Sequence, residues 1–227
     1  MADSRLGEHC REVGRSKIVL TELITLYDQT VAPFTTRGCV TVSDNMKRIC
    51  VFCGSRTGKR PEFRDAAAEM GRVIAQRDMT LVYGGGSVGL MEVLADAVLK
   101  HGGDVIGIIP RALCGKEGPH VGISDVRVVD TMYQRKALMI DLADAFIALP
   151  GGIGTLDEFF EVWTLGRLRM HSKPYGLLDA SQYYLPLIRF IDEMVAENFL
   201  CDADRAALLI EENPEVLMNR LEKYHIK

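Results

Sequence analysis

Two glycine-rich turns are the segments best suited to binding an anionic ligand. The first is Gly84-Gly85-Gly86-Ser87-Val88-Gly89, and the second is Pro150-Gly151-Gly152-Ile153-Gly154-Thr155-Leu156-Asp157-Glu158. Each follows an apolar run and precedes a helical pattern. Glycine lets the backbone turn tightly and approach a phosphate, and the next helix offers unpaired N–H groups and a positive dipole end. The sequence therefore predicts a two-sided phosphate site, although a tight turn without a ligand is an alternative for the first segment.

The first turn also has the spacing of a dinucleotide-binding motif. Gly84, Gly86 and Gly89 satisfy G-x-G-x-x-G. Such a motif needs an acidic residue about 20 positions later to bind the ribose. The residues found there are Ile109, Pro110 and Arg111. The sequence therefore argues against a nicotinamide cofactor, and we predict no cofactor.

Glu158 and Arg135 are the charged side chains best suited to catalysis. Arg135 shares a predicted helix face with apolar residues, namely Leu138, Met139 and Leu142. An arginine on such a face needs a ligand or a partner, and a salt bridge or a stem that reaches solvent is the alternative. Lys136 would add a second positive charge. Thr155 and Glu158 have capping-box spacing, so a structural role for Glu158 is also open.

Other common catalytic and metal-binding patterns are missing from the sequence. Cys50 and Cys53 lie inside a predicted strand and are expected to be buried and unreactive, since a reactive pair would sit at a helix N-terminus. The five histidines have no metal-ligand spacing, so we predict no metal. There is no P-loop. Gly54 and Ser55 follow the first strand and are expected at the same sheet edge.

The pattern of elements predicts an α/β fold: a Rossmann-like, doubly wound parallel sheet in a three-layer αβα arrangement. Predicted strands cover 48–53, 79–83, 104–109, 126–129, 145–149, 174–179 and 206–211. Predicted helices cover 61–77, 88–101, 132–143, 155–169, 182–197 and 214–224. Residues 1–46 lack this regularity apart from a possible helix over 16–27. We therefore predict an N-terminal extension over 1–46 and one domain over 47–227.

Composition excludes several classes of protein. The 227 residues are 48% hydrophobic and 26% charged, with a net charge of −4, which is typical of a globular chain. A mildly acidic chain without a basic run is not expected to bind nucleic acid. No apolar stretch approaches the ~20 residues of a membrane span, and no secretory signal is visible. We therefore predict a cytoplasmic protein with reduced thiols and no membrane association.

Three motifs taken together resemble the LOG family of cytokinin riboside 5'-monophosphate phosphoribohydrolases. They are YGGGSVGLM over 83–91, MYQRK over 132–136 and PGGIGTLDE over 150–158, within a resemblance that covers about 47–200. The resemblance implies a Rossmann-like homodimer that hydrolyses the N-glycosidic bond of adenine-type nucleoside 5'-monophosphates. The products would be the free base and ribose 5-phosphate.

The resemblance also assigns roles to individual residues. Arg135 and Glu158 correspond to a catalytic pair. Substrate contacts are implied for Glu117, Arg135, Lys136 and the residues from Gly152 to Glu158, and the glycines of the first turn are further candidates. Glu92 and Tyr133 depart from the usual family pattern, in which a glycine and a histidine occupy these places. Such changes would alter substrate preference without removing the chemistry.

Two other functions stay open on the sequence alone. One is a general nucleosidase acting on AMP and related purine 5'-nucleotides, because the base-binding pocket is not readable from the motifs. The other is a nucleotide-binding module without catalysis. Such a module needs the glycine turns but not both Arg135 and Glu158, so their joint presence favours an enzyme.

Overall fold

The computed structural model describes residues 46–115, 118, 120–123 and 125–224. The predicted helix over 16–27 and Glu117 lie outside the described residues, and the domain boundary at residue 46 stays a prediction. Within these described ranges, no helix has both the length and the apolar character needed to cross a membrane.

A parallel sheet forms the centre of the described region. Its strands are β1 (Arg48–Phe52), β2 (Thr80–Tyr83), β3 (Val105–Pro110), β4 (Asp125–Val129), β5 (Ala145–Ala148), β6 (Tyr175–Leu178) and β7 (Leu209–Glu211). The order is β4-β3-β2-β1-β5-β6-β7, and every neighbouring pair is parallel. The predicted α/β fold with a parallel sheet is therefore confirmed.

The helices connect these strands and cover both faces of the sheet. They are α1 (Pro61–Gln76), α2 (Gly89–Lys100), α3 (Met132–Leu142), α4 (Ile153–Arg167), α5 (Leu185–Ala196), α6 (Asp202–Ala207) and α7 (Pro214–Glu222). Strand β1 shows why two layers are needed: Ile49 and Val51 face the core under α1, α2 and α7, whereas Cys50 and Phe52 face the core under α3, α4 and α5. Burying both faces explains the continuous apolar strands.

Two details of the predicted elements are wrong. The strand predicted over 206–211 is shorter, because its first residues end α6, a short helix that the pattern did not indicate. The capping box predicted for Thr155 and Glu158 is also absent. Helix α4 has Gly152 as its N-cap without a side-chain cap, so Thr155 is already its third residue. A capping box does occur at α3, between Thr131 and Gln134.

The sheet order places a crevice beside β1 and β5. Strand β1 lies in the middle of the sheet; β2 to β4 follow on one side of it, and β5 to β7 follow on the other. Connections that leave β1 and β5 therefore diverge. In open α/β sheets, ligands bind at such a switch point, beyond the carboxyl ends of the strands. The turns that follow Phe52 and Ala148 thus flank the expected site.

Candidate active site

A cavity of about 550 Å³ opens at the carboxyl ends of β1 and β5. This volume lies within the range of about 300–1,000 Å³ that is usual for small-molecule sites. Polar lining residues include Ser55, Arg56, Thr57, Arg135, Thr155, Asp157, Glu158 and Tyr183. Apolar lining residues include Cys53, Phe63, Leu90, Met91, Leu113 and Met132. The predicted position of Gly54 and Ser55 at this edge is confirmed, since both line the cavity.

The turn after β5 brings the N-terminus of α4 to the cavity. Gly152, Ile153, Gly154 and Thr155 all line it. The first N–H groups of a helix have no carbonyl partner within their own helix, so they can bind an anion. Position 151 has no room for a larger side chain than glycine. A Cβ there would lie 2.1 Å from Oγ1 of Thr155, which is a buried residue. Leu156 instead packs against the core under α4.

Arg135 and Glu158 meet at the wall of this cavity. Nη2 of Arg135 lies 3.7 Å from Oε1 of Glu158, and the two side chains are only 8% and 10% exposed. This separation is an ion pair without a direct hydrogen bond. Helix α3 supplies Arg135 from its buried face beside Met139, as the spacing predicted. The structure therefore brings together two opposite charges that lie 23 positions apart in the chain and shields both from water.

The first glycine turn supports Arg135 rather than lining the cavity. A Cβ at Gly84 would lie 1.8 Å from Nη2 of Arg135, so the guanidinium packs directly on this glycine. Gly85, with φ +75°, lies against the backbone of β3, and Gly89, with φ +63°, lies against the backbone of Ser55. These two glycines and Gly86 are not among the residues that line the cavity. Ligand contact by this turn stays a prediction.

Lys136 lies outside this cavity, in the interface between α3 and α4. Its Nζ is 3.0 Å from Oδ2 of Asp157 and 2.8 Å from Oε2 of Glu161. Burial opposes the charge of Lys136, but hydrogen bonds with Glu161 and Asp157 outweigh that effect and raise the pKa of its ammonium group. Lys136, Asp157 and Glu161 line a second, smaller cavity of about 320 Å³. Of these three residues, only Asp157 also lines the first cavity.

The two residues that depart from the family pattern do not line the main cavity. Glu92 is exposed on the first turn of α2. Tyr133 is 81% exposed, and Nζ of Lys136 lies 6.0 Å from the centre of its ring. Their predicted effect on substrate preference would have to act through neighbouring residues.

Sequence reasoning missed several lining residues that come from loops and helix starts. Phe63 stands at the beginning of α1, and Tyr183 precedes α5. Their rings contact each other edge to face, with centroids 5.3 Å apart. Arg56 and Thr57 follow Ser55 in the loop after β1. The sequence indicated only where that loop lies, and no motif or local pattern pointed to Phe63 or Tyr183 as lining residues.

Cys50 in β1 and Cys53, which directly follows the end of β1 at Phe52, are both buried, as predicted. Burial raises the pKa of both the Cys50 and the Cys53 thiol, and the negative charge of Glu158 raises each further. Thiols held neutral in this way are poor nucleophiles and poor metal ligands. Within the part of the chain that the structure describes, no group of three or more His, Cys, Asp or Glu side chains could hold a metal ion.

Comparison with known proteins gives the family. The sequence model described as "Possible lysine decarboxylase" matches residues 91–221. The probable cytokinin riboside 5'-monophosphate phosphoribohydrolase LOGL9 of Oryza sativa subsp. japonica is 43% identical over 216 residues, which cover 95% of either chain. The cytokinin riboside 5'-monophosphate phosphoribohydrolase LOG7 of Arabidopsis thaliana is 47% identical over 178 residues, covering 78% of this chain and 82% of that protein.

Solved structures that are similar agree on the fold. The molybdenum cofactor binding protein of Rippkaea orientalis has a TM-score of 0.60 and 22% identity, over 79% of this chain and 97% of that chain. The Moco carrier protein of Chlamydomonas reinhardtii has a TM-score of 0.60 and 19% identity over the same shares. At these identities the likeness concerns the Rossmann-like fold alone. The family model and the sequence relatives are decisive, and the chain belongs to the LOG family.

Proposed function

We propose that this protein hydrolyses the N-glycosidic bond of cytokinin riboside 5'-monophosphates, releasing the free base and ribose 5-phosphate. Relatives that are 43–47% identical carry the name of this activity. The observation that carries the proposal is the Arg135–Glu158 pair, buried at the wall of a cavity that the N-terminus of α4 also lines. One site then offers an anion-binding end, a carboxylate and space for a base.

The 5'-phosphate binds at the N-terminus of α4 in this proposal. The phosphate oxygens would accept hydrogen bonds from the N–H groups of Gly152, Ile153, Gly154 and Thr155, and the helix dipole would favour the negative charge of the phosphate. Gly152 and Gly154 leave open space, since a Cβ at either would have no described atom within 4 Å apart from the adjoining residues and the backbone of α4 itself. Contacts to this non-reacting group can supply binding energy for the step at the sugar.

Glu158 acts at the scissile bond. Departure of the base with the bonding electron pair leaves positive charge on C1' and the ring oxygen of the ribose. The carboxylate of Glu158 would stabilise that charge and polarise the water that adds to C1'. The water's oxygen becomes the new hydroxyl, and a proton is taken up by the base. No metal or cofactor is part of this scheme.

Arg135 orients the pair in this mechanism. An arginine side chain is not deprotonated in proteins, so Arg135 is unsuited to act as a general acid. Its guanidinium is fixed between Gly84 below and Glu158 beside it, and Nη1 lies 3.8 Å from Sδ of Met132. It can therefore hold the carboxylate in place and receive a hydroxyl or phosphate oxygen of the substrate.

The base would lie against the apolar part of the cavity. Phe63, Leu90, Met91, Leu113 and Met132 supply this wall. An apolar wall suits both a purine ring and an apolar substituent on it, so the wall alone does not separate cytokinin nucleotides from AMP. A general purine 5'-nucleotide nucleosidase therefore stays the alternative within this class.

Assembly as a homodimer and a cytoplasmic location are further parts of the proposal. The resemblance to the family supports the dimer. So do large apolar side chains left exposed near the cavity, such as Ile153, which is 84% exposed at the start of α4. Light scattering of the purified full chain tests the oligomeric state, and a monomer at micromolar concentration would contradict it.

Incubation with AMP and with isopentenyladenosine monophosphate, followed by chromatography of the released base, tests the activity. We expect base release from the isopentenyl nucleotide at a higher kcat/KM than from AMP, and little from the corresponding riboside, which lacks the phosphate. Preference for AMP would favour the general nucleosidase. Tight nucleotide binding without any base release would favour the non-catalytic module.

A further inference from the structure

The turn after β5 has its carbonyl groups held from outside. Three successive oxygens each accept a hydrogen bond from another element: that of Leu149 from the Tyr184 hydroxyl at 2.6 Å, that of Pro150 from the Gly54 N–H at 3.1 Å, and that of Gly151 from the Tyr183 hydroxyl at 2.5 Å. The direction of each carbonyl is therefore fixed, in a turn whose two glycines would otherwise allow many conformations.

The bond from Tyr183 determines the direction of one N–H group at the proposed phosphate site. The peptide that joins Gly151 to Gly152 is trans and planar, so its C=O and N–H groups point in opposite directions. Holding the Gly151 carbonyl on one side turns the Gly152 N–H to the other. Neither residue has a Cβ, so rotation of this peptide would meet little steric resistance without the hydroxyl of Tyr183.

The segment that carries Tyr183 is strained and clamped. Ser181 and Gln182 have φ values of 56° and 57°, a conformation that residues other than glycine rarely adopt. The N-terminal end of α1 holds the segment from the other side, since Nη1 of Arg60, the N-cap residue, donates to the Ser181 carbonyl at 2.8 Å and the Phe63 ring packs on that of Tyr183. Strain that the surrounding structure maintains in this way is typical of functional sites.

We infer that Tyr183 is a positioning residue for the 5'-phosphate: its hydroxyl keeps the Gly151–Gly152 peptide turned so that the Gly152 N–H faces the ligand. The inference rests on the proposed function and extends it to a residue that no sequence motif marked. Tyr184 is a natural comparison. The peptide whose carbonyl it binds ends at Pro150, which has no N–H, so Tyr184 fixes no donor.

Equilibrium binding to two phenylalanine variants tests the inference. Tyr183→Phe and Tyr184→Phe are each prepared in the full chain carrying Glu158→Gln, so that turnover does not consume the ligand. Calorimetry then gives the dissociation constants of AMP and of adenosine, which differ by the phosphate. Thermal unfolding of each variant shows that it is folded.

We expect Tyr183→Phe to raise the dissociation constant of AMP about 5- to 10-fold, the effect of about one hydrogen bond, and that of adenosine less than about 2-fold. Tyr184→Phe should lower the unfolding temperature but change AMP binding less than about 2-fold. Comparison of the AMP dissociation constants of the two variants tests the inference even where adenosine binds too weakly to measure.

Three results would overturn the inference: unchanged AMP affinity in Tyr183→Phe, an equal loss of AMP affinity in both variants, or no AMP binding by the Glu158→Gln protein with both tyrosines intact. A protein that binds AMP as described but releases no base with Glu158 intact would refute the proposed reaction and leave the role of Tyr183 standing.

Discussion

Replacing Glu158 by glutamine tests whether this residue contributes its charge to catalysis or only its bulk to the fold. The change keeps the length of the side chain and removes one negative charge. Oε1 of Glu158 lies 3.7 Å from Nη2 of Arg135, and both side chains are at most 10% exposed. Two unit charges about 4 Å apart attract by about 4 kcal/mol at an effective dielectric constant of about 20. Loss of the charge should therefore lower both the free energy of unfolding and the rate of turnover.

The first effect is on the free energy of unfolding. Removing one partner of a buried ion pair costs about 3–5 kcal/mol, because the other charge stays buried. We expect about 3 kcal/mol here, since the pair has no direct hydrogen bond. A domain of this size loses about 2–4 °C in Tm per kcal/mol, so the Tm should fall by about 6–12 °C.

The second effect is on turnover. A positioned carboxylate that acts on the transition state is worth about 100- to 10,000-fold in rate. The kcat for base release, measured by chromatography at 25 °C where the variant is still folded, should therefore fall at least about 100-fold. The loss of stability cannot explain such a change, because the unfolded fraction at that temperature stays small.

Glu161→Gln is the matched control for this experiment. Glu161 stands on the same helix, forms an ion pair with Lys136 at 2.8 Å, and does not line the main cavity. Its replacement should change kcat less than about 3-fold, because its side chain is 35% exposed and lies outside the main cavity. A Glu158→Gln variant with the lowered Tm but a kcat within about 3-fold of the parent would refute a catalytic role. Equal losses in the two variants would show a general disturbance of α4.

Further predictions concern glycines and a histidine. Gly84→Ala should lower kcat/KM at least about tenfold, because its Cβ would lie 1.8 Å from Nη2 of Arg135; unchanged kinetics would contradict this packing. Gly154→Ala should keep the Tm within about 2 °C, since its Cβ would meet no described atom of another segment within 4 Å; a large drop in calorimetry would show hidden crowding. Burial holds the pKa of His171 below its usual 6.5, although its bond to the Val162 carbonyl opposes this. The folded state therefore favours the neutral ring, and stability that is complete above about pH 6.5 is lost as the pH falls below it. His171→Gln should reduce the drop in Tm between pH 7.5 and 5.5, and parallel Tm curves would refute the assignment.

The fold was predictable because its signals are periodic and local. The run over 145–149 is apolar throughout, and the structure buries all of β5 on both faces. The face shared by Arg135 and Met139 followed from the helical period alone, and both are buried. Their positions depend on repeating geometry, which a single sequence shows directly.

The features that the sequence did not reveal depend on contacts between distant segments. Lys136 follows Arg135 in the chain, but consecutive residues on a helix point about 100° apart, so it faces α4 and pairs with Glu161 instead of lining the cavity. Tyr183 reaches the turn after β5 through two left-handed residues, neither of which is glycine or asparagine. Short helices such as α6 carry too few residues to show a period.

The two glycine turns show why a motif does not by itself locate a ligand. A sequence records that a backbone position excludes a side chain, but not what occupies the space. At Gly84 that space belongs to the guanidinium of Arg135, whereas at Gly152 and Gly154 no described atom of another segment lies within 4 Å of an ideal Cβ. Gly84 is therefore a glycine because the protein itself fills the space beside it, whereas Gly152 and Gly154 leave space open at the N-terminus of α4. In the proposed mechanism the two turns therefore contribute to one site by different means: the first positions Arg135 beside Glu158, and the second leaves room for the phosphate of the substrate.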